Sequence, residues 1–63
     1  MREIVLLEAR KEAYAPSDCV GKTLTVGELR RELEKFFDDE PVVVSNDGGY
    51  TYGAITEYSF TEV

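Results

Sequence analysis

Thirteen acids against seven bases in 63 residues leave a net charge of −6, which repels nucleic acid and anionic membrane and favours basic partners. A chain this short buries only about 60% of its unfolded surface, so it makes one domain, residues 1–63, with a thin core and no deep pocket. With one cysteine and no histidine, it can form neither an internal disulfide nor a Ser-His-Asp or Cys-His centre.

Met1 to Ala9, MREIVLLEA, is an aliphatic, β-branched run bounded by charges. It suits a buried strand, although EIVLLEARKEA can also be drawn as a helix. The strand is preferred, because a small fold with one helix needs a sheet to bury it. IVLL is far shorter than a signal core or a membrane span, which points to a cytosolic protein. Tyr14 to Lys22 reads as a connector, with Pro16 restricting Ala15 and Ser17, Asp18 and Gly21 favouring turns.

Leu24 to Phe37, LTVGELRRELEKFF, carries the clearest local signal. Thr25 and Glu28 stand at the spacing of a capping box, and Leu24 and Leu29 at that of a hydrophobic staple. Val26, Leu29, Leu33 and Phe36 or Phe37 form an apolar stripe opposite Arg30, Arg31, Glu34 and Lys35. Asp38, Asp39 and Glu40 follow, and Pro41 ends the helix. Acids just past a helix C-terminus are disfavoured by the macrodipole by roughly 0.3–1 kcal/mol each, an effect that fades within a turn.

Val42 to Ser45 reads as a strand, and Asn46-Asp47-Gly48-Gly49 as a hairpin turn suited to positive φ. Tyr50-Thr51-Tyr52 would begin the return strand, with a bulge or bend near Gly53, and Ile55 to Val63 would continue it. The expected fold is therefore α+β, arranged β-α-β-β. It has a three-stranded antiparallel sheet of order 2-3-1 and one helix packed on one face. The other face would be partly exposed and carry some of the tyrosines.

Little of the sequence suggests catalysis. Cys19 reads as a small buried thiol without an imidazole to activate it. No zinc ligand set is present, and the acids lack the alternating spacing of a calcium loop. NDGGYTYG matches neither G-x-G-x-x-G nor the P-loop pattern, so no cofactor, metal or catalytic residue is expected.

Two features stand out. From residue 36 through 57 the chain holds Asp38, Asp39, Glu40, Asp47 and Glu57 without a lysine or arginine. These acids are either a solvated face or a patch imitating nucleic-acid phosphates, which recur every ~3.4 Å along each strand. Tyr50, Tyr52 and Tyr58, with Phe60, are either core aromatics or interface anchors. The mixed charges of the helix read as ordinary i,i+4 surface pairing.

The segments E-A-R-K-E-A-Y-A-P-S-D-C, T-V-G-E-L and P-V-V-V-S-N-D-G-G-Y-T-Y-G resemble a group of short, uncharacterised bacterial and prophage proteins. That group shares a T-V-G-E-L helix start and an N-D-x-G-Y-T-Y-G hairpin. Small acidic phage proteins of this kind also resemble anti-CRISPR inhibitors, including those of type I systems. Several such families bind an effector complex where target DNA would sit. The resemblance implies a non-enzymatic DNA mimic in the host bacterial cytoplasm that blocks target access. It would act as a monomer on a basic groove, without touching nucleic acid itself. Asp38, Asp39, Glu40, Asp47 and Glu57 are the candidate charges, with Tyr50 and Tyr52 as anchors. The alternative is a protein-protein interaction module using a tyrosine-bearing sheet face.

Overall fold

The computed structural model describes residues 3–63; Met1 and Arg2, and with them the start of the first expected strand, lie outside the described residues. The chain runs through β1 (Val5–Glu8), a 3-10 helix (Pro16–Lys22), α1 (Val26–Leu33), β2 (Val42–Ser45), β3 (Gly53–Ala54) and a second 3-10 helix (Glu57–Ser59). The sheet is mixed and its order is β1-β2-β3. β1 lies parallel to β2, with Val5 opposite Val42 and Glu8 opposite Ser45. β3 is antiparallel to β2, with Val44 opposite Gly53.

The α+β class and the three strands agree with the sequence reading, but the fully antiparallel 2-3-1 order does not. The strand expected in the centre is at the edge, and β2 takes the middle. The two strongest β-formers, VLLE and VVVS, pair directly, joined by a crossover containing α1, the arrangement parallel neighbours require. The return segment cannot compete for the centre because its ladder is two residues long. Tyr50 and Thr51 donate their backbone N–H groups to Asp47 Oδ1, both at 3.1 Å, so neither is available to a strand partner. Pairing starts only at Gly53, which sits opposite Val44 and sets the ladder's first rung. Ile55 to Val63 does not continue the strand; Thr56 accepts from Tyr58 N and caps a short helical turn instead.

Helix α1 begins as its sequence requires. Thr25 Oγ1 accepts from Glu28 N at 3.2 Å and Glu28 Oε1 accepts from Thr25 N at 2.9 Å, completing the capping box. It ends at Leu33, earlier than the apolar pattern suggests. Lys35 N and Phe36 N donate to the carbonyls three residues back, which tightens the exit into a turn before Pro41 is reached.

The core is very small. Val5 and Ser45 are the buried residues among those described. Among the described residues helix α1 makes no close backbone approach to any strand; it shares two hollows with the face of β1 and β2 that bears Val5, Leu7 and Val42. Leu24, Leu29 and Leu7 line one, of about 420 Å³; Leu33, Phe36, Val5 and Val42 line the other, of about 210 Å³. The expected close cover of the sheet by the helix is thus only partial. Val26 remains 75% exposed, and the other stripe residues are also exposed. Burying Val5 contributes about 1.5–3 kcal/mol, so the sheet depends heavily on its backbone ladder. Among the described residues no helix is long and apolar enough to cross a membrane.

Candidate functional site

The acids of the second half fall into two groups at opposite ends of β2. Asp38, Asp39 and Glu40 form the turn that leads into the strand. Glu40 N donates to the Phe37 carbonyl at 3.1 Å, and Glu40 Oε1 accepts from Phe37 N at 2.7 Å, closing the turn from both sides. Glu40 is half-buried by this arrangement, whereas Asp38 and Asp39 are exposed. The smaller hollow lies here, lined by Asp38 and Glu40 together with Val5, Leu33, Phe36, Phe37 and Val42. Asp38 lies five residues beyond the end of α1, far enough for the macrodipole penalty to have faded.

Asp47 sits beyond the other end. The whole of β2, about 13 Å at ~3.3 Å per residue, lies between the two groups, with Pro41 and Asn46 at its ends. The Asp47 carboxylate organises the hairpin. Oδ1 accepts from Ser45 Oγ at 2.8 Å and from Tyr50 N and Thr51 N, while Oδ2 accepts from Thr51 Oγ1 at 2.5 Å. The hydrogen bonds from the Thr51 hydroxyl and amide, then from Ser45 and Tyr50, hold its pKa down at about 2, against an ordinary value of 3.8. Ser45 is buried and also accepts from Gly49 N at 3.0 Å. Gly48 and Gly49 take φ of +75° and +89°, the left-handed conformation expected of the turn.

Glu57 opens the second 3-10 helix. The antiparallel course of β3, from Gly53 opposite Val44 to Ala54 opposite Val43, carries the chain back toward the Pro41 end, the end that bears Asp38 to Glu40. The chain thus leaves β3 heading away from the Asp47 end before Glu57 is reached.

The aromatics do not form the tyrosine-bearing sheet face that strand parity suggests, because Tyr50, Tyr52, Tyr58 and Phe60 all lie outside β3. Tyr50 is 89% and Tyr58 88% exposed. Tyr52 folds toward the hairpin tip, where a β-carbon on Gly49 would lie 3.2 Å from its hydroxyl oxygen.

Glu12 draws Arg10 at 3.4 Å and Lys22 at 3.8 Å, and Glu32 holds Lys35 at 2.8 Å. Cys19 is a half-buried free thiol on the larger hollow. Among the described residues no three His, Cys, Asp or Glu side chains converge as metal ligands. Sequence reasoning missed Ser45 and Thr51 as the partners of Asp47. The signal was there in S-N-D-G-G-Y-T, where a short acid stands within reach of the backbone N–H groups three and four residues on. No protein-family model matches the chain, and no curated protein or solved structure matches it either.

Proposed function

We propose that the protein is a non-enzymatic docking module, an inhibitor of the anti-CRISPR type. It presents the carboxylates at the Pro41 end of the sheet to the basic groove of a nucleic-acid-binding effector complex and blocks target DNA. It acts as a monomer in the cytoplasm of a host bacterial cell. The observation that carries this reading is the composition of that end: Asp38 and Glu40 line a hollow together with the exposed Phe36 and Phe37, and Asp39 stands between them in the turn, in a chain with no base after Lys35. A charged rim around apolar side chains is the ordinary anatomy of a protein interface. The net charge of −6 steers it toward cations.

Asp38, Asp39 and Glu40 supply the charge, with Glu57 a weaker candidate. Asp47 supports the hairpin rather than the patch, since its oxygens are already engaged. The test is the triple variant D38K/D39K/E40K, measured for inhibition of an effector complex and for binding to it at low and high ionic strength. The expected result is loss of both, with wild-type affinity falling as salt rises. E40Q, which keeps the acceptor for Phe37 N, controls for damage to the turn. A folded triple variant with full inhibition would rule the patch out.

The exposure of Tyr50 and Tyr58 favours a second reading, an interaction module anchored on tyrosine. Under that reading Y50A and Y58A weaken association more than charge reversal does, and salt has little effect.

A further inference from the structure

We infer that the open edge of β1 accepts an extended segment of a basic partner as a fourth strand. The inference rests on the docking function proposed above and specifies how the partner is held. Among the described residues β1 has β2 on one side and no strand on the other. Val5 N donates to the Pro41 carbonyl and Ala9 N to the Ser45 carbonyl, both at 2.9 Å. Alternation along the strand then turns the N–H and C=O groups of Leu6 and Glu8 outward, away from β2.

An edge of this kind is a template for another chain, and protecting devices are few here. Val5–Glu8 contains no lysine, proline or glycine. On the sheet face away from α1, Ile4 is 64% and Leu6 38% exposed, and Leu6 stands beside Val43 and Ala54. This apolar row would cover alternate side chains of an added strand, the usual source of specificity in strand addition.

Charge decides between the two candidate occupants. A second copy would bring another −6 against this chain's own −6, whereas a lysine- or arginine-bearing segment is attracted by that net charge; in sequence the edge itself is flanked by both signs, Glu3 and Glu8 with Arg10 and Lys11. Position agrees with charge. Because Val5 bonds Pro41, β1 begins at the end of the sheet that carries Asp38 to Glu40. A basic strand along β1 therefore runs toward the acidic turn, and the short ladder acts together with that turn.

The probe is a labelled, acetylated octapeptide of alternating lysine and valine, titrated against the full chain by fluorescence anisotropy. Two further peptides carry N-methyl groups on alternate residues, one in each phase. Methylation in one phase blocks the hydrogen bonds to Leu6 and Glu8 and is expected to weaken binding about tenfold or more, while the other phase leaves it unchanged. Leu6→Pro should give a similar loss with β1 still paired to β2, since proline is accepted where the N–H points away from the ladder. If that variant unfolds, the methylated peptides on the wild-type chain still decide.

Salt-dependent binding that ignores the methylation phase overturns the edge and leaves the acidic patch standing. Binding that follows the phase but survives D38K/D39K/E40K supports the edge and removes the patch. Absence of peptide binding overturns the edge, and so does a dimer in sedimentation that Leu6→Pro dissolves.

Discussion

The two ends of β2 use carboxylates in opposite ways. At the hairpin end, Asp47 accepts four hydrogen bonds from Ser45, Tyr50 and Thr51, and the chain is wound around it. At the Pro41 end, Glu40 closes a turn with one carboxylate oxygen, and the exposed Asp38 lines an apolar hollow beside it. An acid that satisfies several backbone donors at once holds structure, and its charge is already matched by dipoles. An acid on an exposed turn leaves its field available to a partner. The five candidate charges were equivalent by composition, and the four hydrogen bonds that Asp47 accepts set it apart from Asp38.

Substitutions at the two ends should behave as differently as the geometry does. Asp47→Ala should give the largest fall in Tm of any single acid, because Tyr50 N, Thr51 N and the buried Ser45 hydroxyl all lose their acceptor; thermal unfolding by circular dichroism measures it. Asp47→Asn should fall between that variant and the wild type, since the amide oxygen still accepts while the negative charge is gone. The pH dependence sharpens the contrast. The carboxyl of Asp47 has a lower pKa folded than unfolded, so its contribution is complete above about pH 4 and is lost as the pH falls through about 2. Urea melts across that window should show a step that Asp47→Asn removes.

Gly49→Ala probes the same loop from its backbone. It places a side chain at φ +89° and 3.2 Å from the Tyr52 hydroxyl, and should cost about 1–2 kcal/mol. Thr25→Ala, away from both ends, should cost about 1 kcal/mol through the lost cap. Asp38→Asn is expected to leave Tm unchanged while weakening partner binding. A large loss of stability there would erase the distinction between the two ends.

Local chemistry was legible in the sequence wherever donor and acceptor lie within four residues. The T-V-G-E box starts α1 as its spacing demands, and the two glycines of the hairpin take the positive φ that their neighbours in N-D-G-G imply. The short return strand was less legible. Tyr50-Thr51-Tyr52 has strong β-propensity, but Asp47 captures the amides on which a ladder depends. The candidate site was legible as a list of acids and not as a place, because setting Asp47 apart from Asp38 to Glu40 follows from the course of β2 and from the hairpin wound around Asp47.

By itself, then, the sequence determined the caps, the turns, the identity of the apolar runs and the large excess of negative charge, all properties of residues close together in the chain. Only the tertiary structure decided that β1 pairs with β2 in parallel, that β2 is central, and that β1 and β3 stand at the edges. Pairing partners are chosen by competition among distant segments for the same backbone donors, and that competition has no signature within any one of them.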